Sequence, residues 1–432
     1  MSSDADVVAP GIPAPDTGDA PEDAGFWERA KGNVRSGNLG VLPVVLGQIA
    51  IVTYFSFTAT NFFTAANFVN VILQMAGTTL IAFGVVFVLL LGEIDLSIAY
   101  VSGICAVAVA EFQLPSSSHD YPGWVAILLG LAIVAVIGFA QGTVVARIGV
   151  PSFVVTLAGL LIWQGVILKV LQARDTIIIE DNWVNYAATY YFSANVGWLI
   201  AAGITILYGL VALGGVIGLR RAGLSTGMGT VIAKFVCVAA ASFGTVAICN
   251  HAKRPTACPA GTPLTETCYR PLGLPLAALI MVVFLVGLTY LAKRTAFGRH
   301  VYAVGGNAEA ARRAGINVPR VRIIVFMISS VMAGVGGIVL AARLQSVNLN
   351  QGGGTLLLDA ISAAVIGGVS LFGGRGEVRG ALLGALVIAT IANGLNIGGY
   401  STGTIYIVTG IILLFAVTLD TVARRLQVRA GR

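Results

Sequence analysis

Long apolar stretches separated by short polar ones run along almost the whole chain, and the apolar stretches are too long and too uniform to be read as alternating strands. Runs such as TLIAFGVVFVLLLG, WVAILLGLAIVAVIGFA and LAALIMVVFLVGLTYLA, taken with their flanks, suffice at about 1.5 Å per residue to cross a hydrocarbon core about 30 Å thick. Backbone groups find no water there, so these runs must be helices. A window of about 19 residues places spans near 40–58, 70–91, 95–112, 123–145, 152–171, 196–219, 229–249, 273–291, 323–341, 357–372, 381–397 and 403–419. The pattern predicts an all-α transmembrane protein, a polytopic helical bundle of about 10–12 spans. Two spans, 95–112 and 357–372, are short or begin beside carboxylates, which predicts broken or re-entrant helices.

Composition sharpens this picture. The chain is 57% hydrophobic and 10% charged, whereas a soluble domain carries about 25% charged residues to cover its surface. Its 54 glycines sit largely inside apolar runs, where small residues let helices pack closely in lipid. Residues 1–36 are rich in Pro, Asp, Ala and Gly and hold no apolar run, so they read as a flexible cytoplasmic tail and not a signal peptide. The membrane domain is then 37–423, followed by a basic cytoplasmic tail at 424–432.

Charge sets the orientation. With both termini inside, the inner segments collect most Lys and Arg, among them Arg29, Arg147, Arg220, Arg221, Lys293, Arg312, Arg313, Arg320, Arg322, Arg375 and Arg379. The outer segments hold few: Lys169, Arg174, Lys253, Arg254, Arg270 and Arg343. Basic loops facing anionic lipid account for the net charge of +7 without a nucleic-acid partner. The cysteines, Cys105, Cys237, Cys249, Cys258 and Cys268, include no CxxC pair, so no metal site is expected. Cys258 and Cys268 share one polar loop, and a disulfide between them stays open if that loop faces outside.

The inner loop from about 292 to 322, KRTAFGRHVYAVGGNAEAARRAGINVPRVR, has a pattern of its own. Gly305 and Gly306 punctuate it, Asn307 can cap a helix, and AEAARRA is rich in helix formers, with Glu309 near the positive end. Gly315 supplies a stop and Pro319 follows. The prediction is a short charged helix between two spans.

This loop resembles the coupling loop of ATP-binding-cassette importer permeases of the monosaccharide class, whose short helix docks on an ATPase subunit. GEIDLS at Gly92–Ser97, VPSFVVTLAG at Val150–Gly159 and LDAISAAVIGGVSLFGG at Leu358–Gly374 agree with that family, in the same order. The likeness covers roughly residues 40–423 and is weakest over 173–270. Glu93 in GEIDLS, with the coupling-type loop, makes the chain most similar to D-xylose permeases, since ribose-type relatives more often carry GGIDLS. The resemblance implies a homodimer in the bacterial inner membrane, working with an ATPase subunit and an extracytoplasmic sugar-binding protein. It assigns ATPase coupling to Asn307, Glu309, Arg312, Arg313 and Gly315. ATP and Mg would belong to the partner, and this chain would bind no cofactor and catalyse no reaction. The residues agree: a phosphate-binding loop needs Lys followed by Ser or Thr after a Gly-rich turn, and every lysine here precedes Gly, Val, Phe or Arg.

Charges within a membrane are costly and usually functional, which singles out Glu93, Asp95 and Asp359. Asp95 precedes LSIAYVSG as a helix cap would, Asp359 likewise stands at the start of a span, and Glu93 can be a wet residue at the cytoplasmic edge or part of an inner gate. Ser152, Thr156, Gly159 and Trp163 recur at helical spacing and share one small, polar and aromatic face, with Gln164 beside it. That face can line a sugar path or pack against a neighbouring helix. Asn393 and Asn396 invite the same two readings. An ion-coupled secondary transporter is the rival from another class.

Overall fold

The computed structural model describes residues 42–114, 120–221, 228–256 and 268–429. The helices of the first half are α1 Leu42–Thr58, α2 Ala65–Leu90, α3 Ile98–Phe112, α4 Gly123–Thr143, α5 Ser152–Leu171, α6 Asn182–Thr189, α7 Ala194–Arg221 and α8 Met228–His251. The second half contributes α9 Leu276–Arg294, α10 Ala296–Gly306, α11 Ala308–Arg313, α12 Val318–Leu344, α13 Leu356–Ile366, α14 Val378–Ile397 and α15 Thr402–Arg429. A helix therefore stands at every place where the apolar pattern puts a span. Among the described residues, 8 helices are long and apolar enough to cross a membrane, and α1, α3, α13 and the Thr402–Phe415 part of α15 are shorter apolar helices. The two spans expected to be interrupted are α3 and α13. The N-terminal tail and Cys258 lie outside the described residues, while Cys105, Cys237 and Cys249 are free thiols.

The order of the bundle follows from where small residues allow contact. α2 and α12 form its centre, and α12 lies against α2, α3 and α4 together. On α2, a Cβ at Gly84 would come 2.8 Å from the Ser329 carbonyl oxygen. On α4, one at Gly142 would come 2.9 Å from Ile323 Cα. In lipid no hydrophobic force drives helices together, so such close backbone approach supplies the packing energy instead. α14 joins this core through α13 and α2, and polar side chains fasten it: Asn67 Nδ2 donates to Asn393 Oδ1 at 2.9 Å, and Gln48 Nε2 to Thr390 Oγ1 at 3.0 Å. By contrast α7 and α8 pack mainly on each other, with most of their apolar surface outward.

Short strands, which the apolar pattern does not announce, tie the connections. β1 Thr176–Ile178 pairs antiparallel with β6 Ser346–Asn348, placing Ile177 opposite Val347. β2 Tyr191–Phe192 pairs with β5 Leu274–Pro275, and β3 Lys253–Thr256 with β4 Cys268–Pro271. Helix α6 between β1 and β2 is capped by Asp181, whose carboxylate accepts from Trp183 N at 2.7 Å and also from Gly123 N at 3.2 Å, fixing the start of α4.

Candidate functional site

Between α2 and α3 the chain leaves helical geometry for a few residues, and these are the GEIDLS residues. Gly92 turns the chain with φ +73, where glycine alone has no steric penalty. A break inside a bundle exposes backbone groups that must find partners. Neighbouring helices supply several. Thr156 Oγ1 of α5 donates to the Ile94 carbonyl at 3.1 Å, and Ser152 Oγ accepts from Ile94 N at 3.3 Å. Asp95 Oδ1 accepts from Ser97 N at 3.0 Å and from Ser97 Oγ at 2.7 Å, and its other oxygen faces Ser329 Oγ of α12 at 3.4 Å. Gln141 of α4 reaches Ser97 Oγ at 3.0 Å. Glu93 meets Arg322 of α12, with Nε to Oε1 at 3.1 Å.

The predicted face of α5 is thus real, and its partner is now visible. Ser152, Thr156 and Gly159 are buried against the break, and Trp163 is partly buried with its indole N–H unpaired. Gln164 lies beside this face, half-buried. Asp95 does the work of a cap from outside the cap position, which Ser97 occupies. Asp359 stands inside the first turn of α13 and accepts from Thr355 Oγ1 at 2.7 Å, so Thr355 and not Asp359 holds the cap position. Asn393 is spent on Asn67 between helices, whereas Asn396 is exposed and donates to the Ala392 carbonyl of its own helix.

A second interruption, residues 367–377, separates α13 from α14 and comes to the same place. Gly374 N donates to the Leu90 carbonyl at 2.9 Å, joining the two breaks directly. The inner loop that carries the predicted helix lies against both. It consists of two helices: α10 runs through Gly305 and Gly306 to a cap at Asn307, whose side chain accepts from Ala310 N at 2.9 Å and opens α11. A Cβ on Gly305 would collide with the Leu90 carbonyl and come 2.8 Å from Gly374 N, so only glycine fits there. Tyr302 Oη donates to the Gly376 carbonyl at 2.7 Å. At the rim Glu377 is paired with both Lys293 and Arg379. Partial burial alone would raise the Glu377 carboxyl, but those two cations hold it below its ordinary value.

Helix α11 projects from this junction. Only Ala311 is buried, while Glu309, Ala310, Arg312 and Arg313 are exposed. Glu309 pairs with Arg312 and, at 3.1 Å, with Arg313, one turn apart on the same helix. Gly315 turns the chain with φ +84, and Asn317 caps α12 by accepting from Arg320 N at 3.0 Å. The result is an exposed, charge-zipped helix in a hairpin whose base touches both breaks.

Sequence reasoning missed Ser97, Gln141, Lys293, Tyr302, Arg322, Ser329 and Glu377. A signal existed for some: Arg322 and Ser329 are seven residues apart and share a helix face, and Gln141 is a polar residue within an apolar run.

The comparisons with known proteins agree with this architecture. A family described as branched-chain amino acid transport system / permease component matches residues 67–417. The xylose transport system permease protein of Escherichia coli K12 is 34% identical over 400 residues, 91% of this chain and 94% of its own. Its counterpart in Haemophilus influenzae is 32% identical over 90% of this chain and 98% of its own. The ribose import permease protein of E. coli K12 is 29% identical over 88% and 92%. No solved structure matches the chain. With a match over residues 67–417, relatives of this identity over nearly the whole chain and several helices long enough to cross a membrane, the chain belongs to that family of multi-pass membrane permease components.

Proposed function

We propose that the chain forms the translocation path of an ATP-driven importer for a monosaccharide, D-xylose before others. The observation that carries this is the 34% identity to a xylose permease over nearly the full length of both chains. Two copies form the pore, a solute-binding protein delivers sugar from outside, and ATPase subunits grip α11 from the cytoplasm. With Mg and ATP bound on the partner, closure of the ATPases moves the α10–α11 hairpin. The two breaks above it then change which side of the membrane the pore opens to, because packed elements shift between discrete arrangements. The cytoplasmic placement of this hairpin follows from its basic residues.

Uptake into proteoliposomes holding this chain, its ATPase and its binding protein tests the proposal. D-xylose should enter in an ATP-dependent manner, ahead of ribose and fructose. A second reading has a specific basis, since the family description names branched-chain amino acids; leucine therefore belongs in the panel. Uphill sugar movement by the chain alone under an ion gradient would instead make it a secondary transporter. Replacing Glu309 and Arg312 together with alanine should separate ATP hydrolysis from uptake while leaving the permease folded.

A further inference from the structure

Of the ion pairs among the described residues, Glu93–Arg322 is the most enclosed, with side chains 14% and 30% exposed. It joins the first break to α12, the helix that leaves the docking hairpin. The connection is short and bonded: Gly315 N donates to the Arg312 carbonyl at 3.0 Å, and Asn317 caps α12 about one turn before Arg322. A further contact between hairpin and first break, Gly305 against the Leu90 carbonyl, is steric. Steric contacts resist approach and offer almost nothing against separation. An ion pair resists separation, and does so more strongly when water is partly excluded.

We propose that Glu93 and Arg322 are positioning residues that form a tension link, pulling the GEIDLS break along when α12 moves away from it, while Gly305 pushes on the opposite stroke. This rests on the reading of α10–α11 as the ATPase-driven hairpin. The face of α12 that carries Arg322 meets the break again at Ser329, opposite Asp95, so the break is held at two heights and follows α12 as a unit. The Arg322 Nε–H is not aimed at its partner for a hydrogen bond although the atoms are 3.1 Å apart, so the pair can tighten in another arrangement. The Gly374–Leu90 hydrogen bond links break to break and does not replace a pull from α12 itself.

The test uses the reconstituted full complex and counts sugar imported per ATP hydrolysed. Glu93→Gln and Arg322→Gln should each lower that ratio about fivefold or more, through maximal uptake rate and not through the sugar concentration at half-saturation. The exchanged pair, Glu93→Arg with Arg322→Glu, should recover much of the ratio. Size-exclusion profile and thermal unfolding of each variant establish that it is folded, and Glu93→Asp, with the charge kept and the reach shortened, should fall between wild type and Glu93→Gln. Unchanged coupling in both single glutamine variants overturns the link, as does an exchanged pair no better than the folded singles. If the wild-type complex hydrolyses ATP and moves none of the solutes, the proposed function itself falls and the link with it. If the wild type imports and the variants import equally well, the link alone falls.

Discussion

The two interruptions in the bundle are held in opposite ways. The first, between α2 and α3, lies among helices: its backbone and carboxylates are bonded by Ser152, Thr156, Ser329 and Arg322 and its Ser97 hydroxyl by Gln141, from α4, α5 and α12. The second, between α13 and α14, is bonded to the end of α2 through Gly374 N on the Leu90 carbonyl and otherwise from its rim, by Tyr302 on the Gly376 carbonyl and by Lys293 and Arg379 on Glu377, with Phe372 exposed. One break is thus an integral part of the core, and the other is tethered to the hairpin. The difference teaches that a single hairpin can address two segments with unequal stiffness, and that damage to each should have a different size.

The largest effect is expected where both breaks meet. Gly305→Val forces a side chain against the Leu90 carbonyl and the Gly374 amide, backbone atoms that cannot swing aside. Overpacking of this kind costs about 3 kcal/mol, and thermal unfolding in detergent should register it along with loss of uptake. Next comes Asp95→Ala, which touches the first break alone. It leaves the Ser97 N–H short of an acceptor inside the bundle and the Ser97 hydroxyl with only the longer contact to Gln141 Oε1 at 3.2 Å, a loss of about 2 kcal/mol, and Asp95→Asn should restore part of it. If Asp95→Ala proves as mild as a surface change, the core-held description of the first break is wrong.

On the second break the expected effects shrink. Tyr302→Phe removes one hydrogen bond to Gly376 and should cost about 1 kcal/mol, with transport impaired more than stability because the tether and not the core is cut. The smallest effect concerns Glu377. Its carboxyl in the folded chain lies below its ordinary value of 4.5, so its pairing contributes at neutral pH and is lost as pH falls through the folded-state value. More than a third of the side chain is exposed, and the pairing is worth less than about 1 kcal/mol after screening by solvent. Glu377→Gln should lower the neutral-pH unfolding temperature slightly and flatten this acid-side slope, so that the variant and the wild type converge at low pH in a comparison of unfolding temperatures.

Much of the fold was legible in the sequence because each span reports its own environment: an apolar run must be a helix wherever it sits, and the carboxylates of GEIDLS and Asp359 marked the two segments that fall short. Strands β1 to β6 and the eight-residue helix α6 were not legible, since two to four residues in a strand, or two turns of helix, carry little usable period, and pairings such as Ile177 with Val347 join distant parts of the chain. The site divides along the same line. Helical spacing put Ser152, Thr156 and Gly159 on one face, and Asn307 announced its cap. What spacing could not give was the partner. Thr156 is bonded to the Ile94 carbonyl, Glu93 to Arg322 and Asn393 to Asn67, and each of those pairings is decided by how helices cross and not by any local pattern. The sequence therefore left the polar face of α5 open to both readings, a lining and a packing surface.

Helix α11 is attached to the rest of the protein by little more than the methyl groups of Ala308 and Ala311 and its flanking turns. Its outward residues thus owe almost nothing to the folding of the bundle and can diverge at small cost. On the proposed reading of α11 as the ATPase-docking element, it is an interchangeable plug, and exchanging its six residues would be a direct route to making one membrane body accept the motor of another.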